Sequence, residues 1–194
     1  MAKTICLLGI DGSGKSTLVK ELCSALRQKN IDVQAYYFGW KPFLPTTRLF
    51  SHLFRVKNYH ITSAFNKKKR NFSILQEITL CYFFVEYLAR YLWIKRCSVI
   101  IFDRYFYDLY AHYSYASHSL LFPLLLKLFP RPDHLYILDV LPEISHQRKP
   151  EVDLAQVHEH RNRYLALAQK LKASILSTNE PVHVTLGKIL EDIA

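Results

Sequence analysis

Gly9-Ile10-Asp11-Gly12-Ser13-Gly14-Lys15-Ser16-Thr17 follows the apolar run Thr4-Ile-Cys-Leu-Leu and leads into Ser16–Lys29, where Leu18, Leu22 and Leu26 recur at helical spacing. The nonapeptide satisfies G-x-x-x-x-G-K-[ST] between a buried strand and a helix, the context in which that pattern binds phosphate. Glycines let backbone N–H groups close around phosphate oxygens, and the helix N-terminus adds partial positive charge. Three of the chain's five glycines stand here. An ordinary glycine turn with a helix cap is the bland alternative, and the flanking strand and helix weigh against it. Lys15 is expected to bridge the β and γ phosphates of a nucleotide and Ser16 to put its hydroxyl on Mg²⁺. Gly9, Asp11, Gly12, Ser13, Gly14 and Thr17 complete the cradle.

Outward from the loop, strand candidates alternate with helices. Ile31–Phe38, Ser98–Asp103, His134–Asp139 and Ala173–Ser177 join Thr4–Gly9 as five apolar runs. Helices are expected near Asn71–Arg96, Leu120–Leu128, Pro142–Gln147, Asp153–Lys172 and Thr185–Ala194. Continuous apolar strands separated by helices predict an α/β fold: a five-stranded parallel sheet covered by helices on both faces, the three-layer sandwich of P-loop NTPases. One domain spanning 1–194 is expected, with a short lid near 144–153. No internal repeat or low-complexity linker interrupts it.

The third strand ends Val99-Ile-Ile-Phe-Asp103-Arg104-Tyr105. In an open parallel sheet the carboxyl ends of the strands bound the ligand crevice. Asp103 there is a candidate for holding Mg²⁺ or its water, or for orienting an acceptor. Arg104 is a candidate fork for an acceptor phosphate. A structural salt bridge at a strand end is the alternative for this pair.

The loop and the strand ending Asp-Arg-Tyr together resemble the thymidylate kinase family of P-loop nucleoside monophosphate kinases. Asp11 within the loop is similar to that family's version. Tyr136-Ile-Leu-Asp139-Val-Leu-Pro142-Glu143 resembles its fourth-strand segment, and Arg161-Asn-Arg163-Tyr164-Leu its late helix. The resemblance implies a kinase using ATP and Mg²⁺ and a small anionic acceptor, most simply a dTMP-like monophosphate. It puts the adenine near Ser177-Thr-Asn179-Glu180-Pro181, so Asn179 and Pro181 are expected on the ATP side. With no arginine in the loop, the lid's Arg148 is the candidate to reach the transferring phosphoryl group.

Three departures fall on the acceptor side. Tyr37-Phe38-Gly39-Trp40-Lys41-Pro42 lacks the family's acidic and arginine pair. Cys81–Arg90 offers several aromatics in no fixed register, and Tyr107-Asp108-Leu-Tyr110 replaces a serine followed by a tyrosine-glutamine pair. A nucleoside, sugar or other metabolite kinase therefore stays open as an alternative, with a base among Asp11, Asp103 or Asp108. So does a nucleotide-binding regulatory NTPase.

On helix Asp153–Lys172, Leu154, Val157, Leu165 and Ala168 share one arc with Arg161 near its centre and Arg163 opposite. Arg161 is expected either to pair with a core carboxylate or to reach the phosphates; Arg163 is expected in solvent. Helix Asn71–Arg96 is apolar on nearly every face, which suits deep core or the homodimer interface that the resemblance implies.

Composition fits this reading. The chain has 194 residues, 50% hydrophobic and 22% charged, and a formal net charge of +10. No carboxylate lies between Asp32 and Glu77, a gap holding eight cations from Lys41 to Arg70, so the rest carries 18 cations against 16 carboxylates. A local excess suits an anionic ligand near residues 39–75, the expected acceptor side, better than a nucleic-acid coat. That segment is expected as a short helix with loops. The apolar stretches are interrupted by charge or proline, so no membrane span is expected, and neither is an export leader. Cys6, Cys23, Cys81 and Cys97 form no C-x-x-C pair and read as core or near-core thiols of a cytoplasmic protein.

Overall fold

The computed structural model describes residues 2–39, 41, 43–45, 74–95, 97–113, 116, 118–150 and 152–193. Contacts group the chain into two compact units, Met1–Phe38 with Arg96–Ala111 and Pro132–Ala194, and Gly39–Lys95 with His112–Arg131.

The first unit holds five strands, β1 (Lys3–Gly9), β2 (Val33–Tyr37), β3 (Val99–Asp103), β4 (His134–Asp139) and β5 (Ser174–Ser177). All pair in parallel in the order β2-β3-β1-β4-β5. The α/β fold with a five-stranded, all-parallel sheet expected from the sequence is therefore present. β1 and β3 are buried residue after residue, as a central parallel strand requires. The edge strands differ from expectation: β2 and β5 leave alternate or successive residues in contact with water, because each has a neighbour on one side only.

Ile5 and Leu7 of β1, Val99 and Ile101 of β3, and Tyr136 and Leu138 of β4 pack on one face with Leu18, Leu22 and Leu26 of α1 (Lys15–Gln28) and Ile189. The period of two in the strands meets the 3.6-residue period of α1, which is why that face excludes water. The intervening Cys6, Leu8 and Ile137 are also fully or nearly fully buried. α2 (Ile74–Leu92) and α4 (Phe122–Leu128) belong to the second unit. Between them in sequence, the short α3 (Asp108–His112) follows β3, a helix not expected from periodicity because one turn is too short to show one. After β4 come α5 (Pro142–Arg148) and α6 (Leu154–Leu171), and after β5 comes α7 (Val182–Asp192), which starts three residues earlier than expected.

In the second unit, Leu80, Phe83 and Tyr87 of α2 are buried, and Phe84 meets Phe129 edge-on at 5.9 Å. Glu86, fully buried, accepts hydrogen bonds from the backbone N–H groups of Phe43 and Leu44, and Arg90 donates to the Gly39 carbonyl at 3.0 and 2.8 Å. Ile74, Ile78, Val85, Leu92 and Trp93 are exposed, so α2 is core on one side and open on the other. Of the basic segment, Arg48, Arg55, Lys57 and Lys67 to Arg70 lie outside the described residues. No described helix is long and apolar enough to cross a membrane.

Candidate functional site

The sheet order puts β1 between β3 and β4, and the chain leaves β1 toward β3's side and returns to β4 on the other. The crevice at this switch in strand order is where an open α/β sheet binds ligands. The loop Gly9–Gly14 lies there, with Gly9 opposite Leu138 and Leu7 opposite Asp103 in the strand register.

Two glycines are required sterically. Gly9 has φ +144°, and a Cβ there would lie 2.5 Å from the Leu138 carbonyl oxygen. Gly12 has φ +80°, and its Cβ would meet the Ser145 carbonyl oxygen at 2.8 Å. An L side chain is strained at such φ values and has no room besides. The Ser145 hydroxyl also donates to the Asp11 carbonyl, so α5 is packed onto the loop.

Lys15 is buried, its ammonium donating to the carbonyls of Gly9 at 2.8 Å and Ile10 at 2.7 Å and to the Ser13 hydroxyl at 3.3 Å. Burial first, and the Arg104 charge second, bring its pKa down to about 8. The loop therefore holds a poorly solvated cation on neutral oxygens, a group that phosphate oxygens would stabilise.

Ser16 Oγ donates to Asp103 Oδ2 at 2.9 Å, while Asp103 Oδ1 is buried without a hydrogen-bond partner. An unsatisfied buried carboxylate oxygen is rare and asks for an explanation. Hydroxyl and carboxylate oxygens are the donors Mg²⁺ prefers, and it usually keeps waters that can satisfy such an oxygen. The pair fits that ion.

Arg104 has φ +73°, left-handed for a residue with a side chain. Its backbone N–H donates to the Leu7 carbonyl at 3.1 Å, and its guanidinium bonds both Asp11 and, at 2.8 Å, Asp108. The strand-end salt bridge and the place beside the loop, weighed as alternatives from sequence, thus occur together.

Arg148, at the end of α5, donates to the Gly12 carbonyl at 3.0 Å. It is the sequence-expected lid residue that touches the loop. Arg161 makes a two-pronged pair with Asp139 at the tip of β4, at 2.6 and 2.7 Å. The buried face of α6 is Val157, Tyr164, Leu167 and Ala168, so Tyr164, not Leu165, belongs to it. Arg163 is not in solvent as expected: its side chain is 16% exposed, donates to the Ala111 carbonyl at 3.1 Å and pairs with Glu159. Its long stem lets it fold back onto α3. Asn179 accepts from the Leu141 N–H at 3.1 Å, and Pro181 stands at the N-terminal boundary of α7 without a side-chain cap.

Sequence reasoning missed Ser145 as the loop's floor, Asp139 as the partner of Arg161, and Tyr164. The Arg104–Asp108 pair spans the turn between β3 and α3, with Arg104 outside the helix at φ +73°, so no helical spacing encodes it.

No protein-family model matches the sequence. A probable thymidylate kinase of Sulfurisphaera tokodaii is 27% identical over 203 residues, spanning all of this chain and 96% of that protein. Among solved structures, a thymidylate kinase from Ehrlichia chaffeensis superposes with a TM-score of 0.62 at 18% identity, covering 100% of this chain and 99% of its own. The chain resembles thymidylate kinases end to end in sequence, and it shares their fold.

Proposed function

We propose that this chain is an ATP-dependent nucleoside monophosphate kinase of thymidylate kinase type, moving the γ-phosphoryl group of ATP to a dTMP-like acceptor. The observation that carries the reading is the double tie of the β3 tip to the phosphate loop, Asp103 to Ser16 and Arg104 to Asp11. It gathers a loop cation, hard oxygen donors and a guanidinium at one crevice. The likeness to thymidylate kinases over the full chain supports it.

The loop amides and Lys15 would hold the β and γ phosphates, and Ser16 and Asp103 would hold Mg²⁺. Bound there, the ion would neutralise charge on the phosphate oxygens. Arg104 would fork onto the acceptor phosphate, displacing Asp11, and Arg148 would swing from the Gly12 carbonyl to the transferring phosphoryl group. Phosphoryl transfer asks for alignment and charge neutralisation more than covalent chemistry, so these cations supply most of the rate. Arg161, Asn179 and Pro181 are assigned to the ATP side and residues 39–75 to the acceptor side. Cytoplasmic localisation goes with this substrate pair. A homodimer through the open face of α2 follows the same reading, with light scattering as its check.

An acceptor hydroxyl would need a general base, whereas an acceptor phosphate is already nucleophilic. Asp11 and Asp108 are ion-paired to Arg104, and Asp103 is hydrogen-bonded to Ser16. Asp108 has both oxygens engaged, which weighs against its acting as that base, and the Arg104 guanidinium beside the loop favours a phosphate acceptor. The test is ADP release from Mg·ATP with a panel of nucleoside monophosphates, nucleosides and sugars, with Lys15→Ala as the blank. Stimulation by a monophosphate supports the reading; stimulation by nucleosides or sugars alone, or acceptor-independent hydrolysis, overturns it.

A further inference from the structure

Arg104 carries two carboxylates that differ in kind. Asp11 lies on the loop with its side chain 33% exposed, whereas the Asp108 side chain is 5% exposed. An incoming anion can displace the first; the second is sealed in. Asp108 has both oxygens engaged, Oδ2 by Arg104 at 2.8 Å and Oδ1 by the Tyr164 hydroxyl at 2.7 Å. Tyr164 is itself 1% exposed, on the buried face of α6.

The same helix grips α3 at two further points, Arg163 on the Ala111 carbonyl at 3.1 Å and Lys170 on the Tyr110 hydroxyl at 2.8 Å. α3 is a single turn, too short to hold itself. α6 therefore holds α3, and with it Asp108, at three points.

We propose that Asp108 and Tyr164 are positioning residues, a buried relay from α6 that fixes the Arg104 guanidinium at the crevice while leaving its Asp11 side exchangeable for an acceptor phosphate. The reference to an acceptor rests on the kinase reading above; the relay itself does not. The backbone at Arg104 is left-handed, a conformation that persists only where the surroundings hold it, and the bond to Asp108 is one such hold. The charges agree. Burial and then the Asp108 charge push the Tyr164 phenol well above its ordinary pKa, so it remains a donor.

The test compares wild type with Tyr164→Phe and Asp108→Asn, each close in shape to the native residue. Arginine-selective ¹⁵N NMR, with the Arg104 signal assigned by its loss in Arg104→Lys, reads restricted guanidinium rotation without any turnover. The relay predicts slow rotation in wild type and fast, averaged signals in both variants. Where the enzyme turns over, it also predicts that the KM for the acceptor rises about tenfold while the KM for ATP and kcat stay within about twofold. A purely structural role would instead lower kcat for all substrates in proportion to the folded fraction. If transfer to a monophosphate is absent yet the variants free Arg104, the kinase reading fails and the relay stands. If both variants leave Arg104 restrained, or leave the acceptor KM unchanged in an active enzyme, the relay is overturned. Should Tyr164→Phe fail to fold, Asp108→Asn alone decides by the same two readouts.

Discussion

Ser16 and Asp103, 87 residues apart in sequence, are joined by a 2.9 Å hydrogen bond that fastens the tip of β3 to the first turn of α1. The bond uses one carboxylate oxygen and leaves the other buried without a partner. A buried carboxylate oxygen without a partner is costly, and the proposed Mg²⁺ with its waters would supply one.

Asp103→Asn should therefore separate activity from stability. Removing the charge would weaken the proposed Mg²⁺ site, and turnover is expected to fall by about 10²–10³, the scale seen when one charge-stabilising group is lost. Relief of a poorly solvated carboxylate should leave the melting temperature equal or higher. Thermal melts beside steady-state assays at several Mg²⁺ concentrations check both halves.

Lys15 gives a pH prediction. With its pKa near 8 in the free protein and phosphate favouring the charged form, ATP binding raises that pKa and takes up a proton above pH 8. Affinity should be flat below pH 8 and fall above it, by up to about tenfold per pH unit until the bound-state pKa is passed. Lys15→Arg, charged throughout, should remove the slope. Calorimetric titrations with a non-hydrolysable ATP analogue from pH 7 to 9.5 measure it.

The glycines make a steric prediction. Gly14, like Gly12, has a positive φ, +85° against +80°, but a Cβ on Gly14 meets nothing within 4 Å. Gly14→Ala should cost about 1–2 kcal/mol, the conformational cost of a left-handed residue. Gly12→Ala should cost more, because the Ser145 backbone must also give way. Urea unfolding of the two variants ranks them.

Arg148 is exposed and touches the loop at one carbonyl. Arg148→Ala should leave stability within about 0.5 kcal/mol, as surface changes do. It should lower kcat by about 10³ or more with little change in the KM for ATP, the signature of an arginine that acts on the transition state. A comparable rise in KM with kcat intact would assign it to ground-state binding.

What the sequence made legible follows from range. Gly9 to Thr17 is a local pattern whose geometry is dictated by glycine and by its flanking strand and helix, and the five apolar runs predicted the sheet. The crevice pairs join residues far apart in sequence, such as Asp108 with Tyr164 and Asp139 with Arg161, and no periodicity encodes those. Val33 to Tyr37 lies within an apolar run, and its exposure at the sheet edge follows from strand order, which local pattern does not encode. Arg163 read as solvated because its helical angle points outward while its stem reaches back. Tyr164 belongs to the segment that resembles the kinase family's late helix, yet only the fold shows its hydroxyl meeting Asp108.

The most direct test follows the phosphorus. In ³¹P NMR of the protein with Mg·ATP and thymidine monophosphate, loss of the γ resonance is expected, matched by a new nucleoside diphosphate and absent in Lys15→Ala. Release of inorganic phosphate at a rate indifferent to the monophosphate, or phosphorylation of thymidine but not of its monophosphate, would contradict it.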